Sequence, residues 1–447
     1  MILKKLFNKM KYPSWPPIKG YRNIEFGLKR VFALLARIGN PHLKLPPVIH
    51  VAGTNGKGST LAFLQAIFEE NNYSVHKYIS PHLVNFNERI ILNGKEIGDN
   101  FLNECLKICQ KASEKEPKIE ITYFEGITVA AFLAFSLKKA DILLLETGMG
   151  GELDATNVLP QVLCSIITPI SFDHQDFLGN SIEEIAKAKA GIIKKNCPIV
   201  TIQHDKISLE IIKEAAQNLN SSLNIIQNNQ NNNKIADFLI KSDENSRLWQ
   251  IIAKDKIYNL PRPNLIGDFQ LENATLAIAA LLTQRRFHIK EESFTSAITK
   301  AKWRGRLQKI CNGKFYKILP KNCDLYLDGS HNIAGAEILN HFLSKQKGKK
   351  IYAIVAMLRD KDYQNFIKII SPKIDYLIAS EIENEKNSLS WEEIYKIAKN
   401  QGIFNVDKSA NIEDAFKIIE KHNIEPGSLI IICGSLYFAG EFLQKND

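Results

Sequence analysis

One stretch constrains this chain more than any other: HVAGTNGKGST, residues 50–60. The apolar run PPVIHVA precedes it and STLAFLQAIFEENNY follows, so a short buried strand should enter the glycine turn and a helix should leave it. That context puts backbone N–H groups and the positive end of a helix at one point, the arrangement that holds a phosphate. The common nucleotide loop reads G-x-x-x-x-G-K-[ST]. Here Val51 stands at the first glycine position, and Gly58 separates Lys57 from the hydroxyls of Ser59 and Thr60. Lys57 is expected against the β- and γ-phosphates, with Ser59 or Thr60 near the nucleotide. A glycine-rich turn that binds nothing is the competing reading, and the flanking strand and helix weigh against it.

At 447 residues the chain exceeds one ordinary hydrophobic core, so two domains are expected. Residues 25–39 carry apolar side chains at helical spacing. SVHKYIS, DILLLETG and VLCSIITPI read as further strands and ITVAAFLAFSLKKA as a helix. Strands alternating with helices give an α/β domain with a mostly parallel sheet, whose ligands bind beyond the carboxyl ends of the strands. The asparagine-rich residues 224–234 read as an exposed connection and IGDFQLENATLAIAALL as an amphipathic helix. After KWRGRLQ the pattern restarts with CDLYLDG, KKIYAIVAML, IDYLIAS and GSLIIICGS. The expected division is a P-loop ATPase-like α/β domain over residues 1–302 and a smaller Rossmann-like α/β domain over residues 303–447.

Composition excludes some partners. The net charge is +10, but the lysines are scattered and no basic stripe interleaves with aromatics, so nucleic acid is not expected. The seven cysteines suggest no disulfide framework, and Cys105 and Cys109, one helical turn apart, should face a core. The basic N-terminus lacks the apolar run of a signal peptide, and no segment reaches the ~18 apolar residues of a membrane span. The expected location is the cytoplasm.

Polar residues at the ends of apolar strands carry the remaining chemistry. Glu146 closes DILLLE, so its carboxylate must reach a cleft or find a cation. Asp173, His174 and Asp176 follow the next apolar strand, and Ser80 ends another. Magnesium takes a few protein oxygens and completes its shell with phosphate and water, so Ser80, Glu146 and His174 would suffice beside a bound triphosphate. Lys189, in IAKAKAGIIK, reads on its own as a solvated helix-face lysine.

Eight ordered motifs, VAGTNGKGST, ISPHL, TYFE, ETGMGGELDATN, SFDHQDFLG, AKAGI, DGSHN and CGSLY, together resemble the folylpolyglutamate synthase and dihydrofolate synthase family of Mur ligase-like enzymes. The resemblance runs from about residue 20 to the C-terminus. It implies the Mur ligase middle-domain fold, with the ATP site between the two domains. It also implies ATP-dependent joining of L-glutamate to dihydropteroate or a reduced folate through an acyl phosphate, in the bifunctional bacterial manner, by a monomer. The family's own loop carries the extra glycine, which accounts for Val51 and Gly58.

Carried over by position, Thr54, Asn55, Gly56, Lys57, Gly58 and Ser59 resemble the triphosphate loop. Asn273, Arg306 and Asp328 resemble further ATP contacts, and His331 a helper in that site. Ser80, Glu146 and His174 resemble the ligands of Mg²⁺, of which two ions are expected. Lys189 matches a lysine that is carbamylated in the family and then holds the second ion, which reverses its solvated reading. The resemblance places the pterin along Ile24, Glu25 and Phe26, along Thr122, Tyr123, Phe124 and Glu125, and along Leu153, Asp154 and Ala155. Core packing is an equal reading of Phe26 and Tyr123 on the residues alone.

This sequence departs from its relatives at Arg304, where proline is frequent, and at Glu152, where a basic residue is frequent beside the pterin site. Two other readings stand. A Mur-type peptidoglycan amino-acid ligase usually carries an extra domain before the loop, and only about 50 residues precede Gly53. A non-catalytic nucleotide-binding module of GTPase type would show N-K-x-D, which is not found.

Overall fold

A computed structural model describes residues 15–16, 27–228, 236–243, 246–254, 256–422 and 424–446. The chain divides into two compact units, Met1–Asn264 with Gln270–Lys302, and Leu265–Phe269 with Trp303–Asp447.

The strands of the first unit are β1 (Val48–Ala52), β2 (Val75–Tyr78), β3 (Ile90–Leu92), β4 (Lys95–Glu96), β5 (Ile142–Glu146), β6 (Cys164–Ile167), β7 (Ile199–Ile202), β8 (Leu223–Asn228), β9 (Phe238–Ser242), β10 (Leu248–Ala253) and β11 (Lys256–Pro261). Among the described residues they form one sheet in the order β11-β10-β9-β8-β7-β6-β1-β5-β2-β3-β4. The centre, from β2 through β5, β1, β6, β7 and β8 to β9, is parallel, and antiparallel hairpins close both edges. β1 and β5 are buried along their whole length, as strands covered on both faces must be.

The helix after the glycine turn is Lys57–Glu70, beginning two residues before the serine at which the sequence pattern starts it. Gly56 ends the turn with φ 91° as the residue before the helix, so Lys57 and Gly58 are already helical and Gly58 lies buried in the first turn. The helix Tyr123–Leu137 also starts early, because Thr122 and Glu125 form a reciprocal capping box. Its residues 125–135 are all buried, which fits an element apolar on every face. Cys105 and Cys109 lie in the core beside it.

Two expectations are corrected. Residues 224–228 are not an exposed connection but most of β8, since Ile225, Ile226 and Gln227 are buried between β7 and β9; residues 229–235 lie outside the described residues. The helix Phe269–Thr283 is not amphipathic, because its run of small alanines lets neighbours approach from every side and nearly all of it is buried.

The second unit holds β12 (Gln308–Ile310), β13 (Asp324–Leu327), β14 (Ile351–Val355), β15 (Tyr376–Ala379), β16 (Val406–Lys408) and β17 (Leu429–Cys433), ordered β12-β13-β17-β14-β15-β16. All neighbours are parallel except β12 with β13. On one side, Phe315 stacks on Phe416 with centroids 4.4 Å apart and on Phe442 at 5.5 Å. Among the described residues no helix is long and apolar enough to cross a membrane.

Because Phe442 is fully buried in this stack, Phe442→Ala should destabilise the second unit by about 3–5 kcal/mol. Chemical denaturation followed by a probe in that unit checks the value; an unchanged midpoint would mean the stack contributes no packing energy.

Candidate active site

The glycine turn is shaped by two residues that must lack a side chain. Gly53 has φ 144°, and a Cβ there would stand 1.8 Å from Thr168 Oγ1. Gly56 has φ 91°, and its Cβ would meet Asn273 Oδ1 at 2.4 Å. Asn273 is therefore packed on the turn, and its Nδ2 donates to Gln270 Oε1 at 3.0 Å. Gln270 in turn donates to Ser59 Oγ at 3.4 Å. The other side of the turn is laced to residues 169–171, which follow β6. Thr54 and Asn55 donate their N–H groups to Pro169 O, and Thr54 Oγ1 both donates to Ser171 O and accepts from Ser171 N.

Two amines meet at this turn. Lys57 Nζ donates to Gly53 O and Thr54 O, each at 3.0 Å. Lys189 Nζ donates to the same Gly53 O at 3.0 Å. Lys189 is only 4% exposed, which corrects the solvated reading made from its residue neighbourhood alone. The signal was present in the spacing: Ile185, Ala186, Lys189 and Ala190 form the buried face of the helix Ile182–Ala190. Burial, with the charge of Lys57 second, pushes the Lys189 amine down to about 7 against the opposing effect of Asp173 and Asp154.

Adjacent strands bring a second group together. β2 and β5 pair in parallel with Tyr78 opposite Leu145, so Ser80 and Glu146 leave the sheet at the same edge. Ser80 N donates to Glu146 Oε2 at 3.2 Å. Glu146 is buried, and the Ser80 hydroxyl is buried without a hydrogen-bond partner among the described residues. A buried carboxylate beside an orphaned hydroxyl suits a hard cation. His174 stands on the turn after β6 with φ 52°, its ring half exposed and its Nε2 3.9 Å from Asp173 Oδ1. Among the described residues no three His, Cys, Asp or Glu side chains form a ready-made metal cage. The site suits an ion whose shell a substrate would complete.

The expected pterin segments differ in how free they are. Glu125, buried, accepts from Arg30 Nε at 3.2 Å and Nη2 at 3.0 Å, and from Thr122 N at 2.8 Å. Asp154, also buried, accepts from Met149 N, Thr156 N and Thr156 Oγ1. Desolvation raises its pKa, and these hydrogen bonds oppose the shift. Both carboxylates thus hold their own turns. Phe124 packs where a Cβ on Gly148 would sit, Tyr123 is half-buried, Leu153 is 48% exposed and Ala155 is buried. Ile24, Glu25 and Phe26 lie outside the described residues.

In the second unit, Asp328 follows β13 and accepts from Leu307 N at 2.7 Å, from Ser330 N at 2.9 Å and from the Ser330 hydroxyl. His331 Nδ1–H donates to Gly329 O at 2.9 Å, and Arg306 Nη1 donates to Gly305 O at 3.1 Å. The three residues share one corner of that unit.

Sequence reasoning passed over Arg89. It is 7% exposed, its Nε donates to His82 Nδ1 at 2.9 Å, and its guanidinium lies 5.5 Å from the Phe86 ring centroid. Among the described residues no acidic side chain pairs with it. The signal was an arginine placed directly before the apolar strand β3, the same logic that drew attention to Glu146.

A phosphate-type glycine turn at the end of a parallel sheet, with the buried Lys189 hydrogen-bonded to it, fits the class of Mur-type ATP-dependent ligases. Residues 51–281 match the Mur ligase middle domain, and residues 312–445 match the dihydrofolate synthetase C-terminal domain. The chain is 34% identical to the dihydrofolate synthase/folylpolyglutamate synthase of Bacillus subtilis, over 94% of each chain. It is similar to the solved structure of Escherichia coli FolC in complex with DHPP and ADP, with TM-score 0.81, 26% identity and coverage of 95% and 94% of the two chains. It is similar, with TM-score 0.80, 26% identity and 95% coverage of both chains, to the bifunctional Yersinia pestis enzyme complexed with AMPPNP and Mn ion. The chain belongs to the dihydrofolate synthase/folylpolyglutamate synthase family of ATP-dependent ligases.

Because the folded pKa of Lys189 lies below its unfolded value near 10.5, the unfolded chain binds the extra proton between about pH 7 and pH 10.5. The burial cost is full below pH 7 and disappears as pH rises through that window. Urea unfolding of the wild type in carbonate-free buffer should therefore gain up to about 1.4 kcal/mol per pH unit relative to Lys189→Met. Parallel pH profiles for the two proteins would contradict the assignment.

Proposed function

We propose that this enzyme phosphorylates the carboxylate of a pteroate or folate with ATP and passes the acyl group to the amine of L-glutamate. The observation that carries this reading is the meeting, at one end of a parallel sheet, of the glycine turn, the Ser80–Glu146 pair and Lys189.

Backbone N–H groups of residues 54–59 and the start of the helix Lys57–Glu70 would receive the triphosphate. Lys57 would exchange its present carbonyl partners for phosphate oxygens, and Asn273 would hold the turn to shape. Arg306, Asp328 and His331 are proposed to serve the same nucleotide. Ser80, Glu146 and His174 are the proposed Mg²⁺ ligands, and the ion would neutralise charge on the phosphates. With its amine near half-neutral at pH 7, Lys189 is suited to take up carbon dioxide and become a carbamate able to hold a second ion. In the first step a substrate carboxylate oxygen attacks the γ-phosphorus and ADP leaves. In the second, the neutral amine of glutamate attacks the acyl carbon, phosphate leaves, and the nitrogen sheds a proton to give the amide. Positioning and charge compensation suffice, so no protein nucleophile is required.

Tyr123, Phe124 and Leu153 offer flat or apolar surface to a pteridine, and the region of residues 24–26 is proposed to add to it. Arg89 offers an anion-binding guanidinium for a substrate carboxylate or the acyl phosphate. We propose both synthase activities in one cytoplasmic monomer, with no nucleic-acid or membrane partner.

The test is amide formation with ATP and glutamate, run in parallel with dihydropteroate and with tetrahydrofolate. Product is expected with each acid and only when all three substrates are present; ATP hydrolysis that ignores the pteridine would overturn the ligase reading. Lys57→Ala should lower kcat by at least about a hundredfold. Glu146→Gln should raise the Mg²⁺ concentration needed for half-maximal rate about tenfold or more, and a normal Mg²⁺ response would remove Glu146 from the ligand set.

A further inference from the structure

A buried polar relay runs from the middle of the sheet to the turn that follows Glu146. His50 lies on β1, between Leu145 of β5 and Ser165 of β6, and is fully buried. Its Nε2 is 2.9 Å from Thr156 Oγ1, and that hydroxyl donates at 2.5 Å to Asp154 Oδ1. Asp154 also accepts the N–H groups of Met149 and Thr156, so both ends of the turn hang on one carboxylate.

The proton count fixes the ring's tautomer. Burial, with the charge of Lys194 second, pushes the His50 pKa down to about 3, so the imidazole is neutral. Thr156 has a single hydroxyl proton, and Asp154 takes it. His50 must then donate from Nε2, which leaves Nδ1 as a bare acceptor. Nδ1 is indeed buried with no hydrogen-bond partner among the described residues. An apolar residue, such as its neighbours Ile49 and Val51, would avoid that unmet acceptor on a central strand. The donor on the other nitrogen is what only the histidine supplies.

We propose that His50 is a positioning residue for the pteridine substrate: its Nε2–H orients the Thr156 hydroxyl onto Asp154 and so fixes the turn that presents Leu153. This rests on the reading of residues 153–155 as substrate-lining. The influence of His50 passes through Thr156, the side chain its Nε2 meets.

The experiment compares His50→Leu, His50→Gln, Thr156→Val and Leu153→Asp in the amide-formation assay, reading KM for the pteridine acid turned over, KM for ATP, and kcat. Gln can place an amide N–H where the ring's Nε2–H stands. His50→Leu should raise the pteridine KM about tenfold with the ATP KM within about twofold, and His50→Gln should restore it. Thr156→Val should match His50→Leu, and the double variant should be no worse than either. Equal rises in both KM values, or a glutamine variant as impaired as the leucine one, would reduce His50 to a packing role and overturn the proposal. If His50→Leu fails to fold, Thr156→Val decides: a pteridine KM that does not move overturns the relay. Leu153→Asp separates the two layers. A raised pteridine KM there with no effect of Thr156→Val leaves the substrate site standing and removes the relay. No effect of Leu153→Asp removes the substrate-site reading and the proposal with it.

Discussion

The first unit is organised around one backbone carbonyl. Gly53 O accepts from both Lys57 and Lys189 at 3.0 Å, so two amines lie no more than about 6 Å apart in a largely buried setting. Burial is the larger reason, and repulsion from Lys57 the smaller one, that Lys189 holds its proton less tightly than a free lysine. An arrangement of this kind is costly for stability alone. It makes physical sense as a seat for negative charge, where the same two amines and the surrounding N–H groups become assets.

Everything near the turn serves to hold that seat rigid. Gly53 and Gly56 allow Thr168 and Asn273 to approach closer than any side chain would permit. The turn after β6 ties Thr54 from the opposite side. Because β1 is flanked by β5 and β6, the three chain segments that leave the sheet here share one end of it. A few strand-end residues can therefore meet although they lie more than 100 positions apart, as Thr54 and Ser171 do.

Much of this was legible in the sequence for a simple reason. Apolar strands that end abruptly in Ser80, Glu146 or Asp173 announce where the sheet stops and a cleft begins, and glycine spacing announces the turn between strand and helix. What stayed hidden depends on three-dimensional company. Lys189 looked solvated because its neighbours in sequence are two further lysines and small alanines; only its helical face, shared with Ile185, shows that it points inward. The asparagines of β8 concealed a strand because the register with β7 and β9, not composition, buries Ile225 and Ile226. Arg89 escaped notice because an arginine before a strand is ordinary until its burial against His82 and Phe86, with no acidic partner among the described residues, becomes visible.

Glu125, Asp154 and Asp328 show a further pattern that no motif could convey. Each is an acidic residue at a strand end, at a helix start or, for Asp154, in the turn after β5, the type of position where a ligand contact is expected. Each spends its lone pairs on hydrogen bonds to its own turn or to a neighbouring arginine. A buried carboxylate satisfied in this way fixes backbone geometry firmly, since removing any donor would leave an unmet charge. By contrast, among the described residues the buried Ser80 hydroxyl has no hydrogen-bond partner, and Glu146 beside it receives a backbone N–H from the same residue. The division of labour follows from hydrogen-bond capacity: Glu125, Asp154 and Asp328 each fix backbone within their own unit, while among the described residues the Ser80 hydroxyl is the group with capacity to spare.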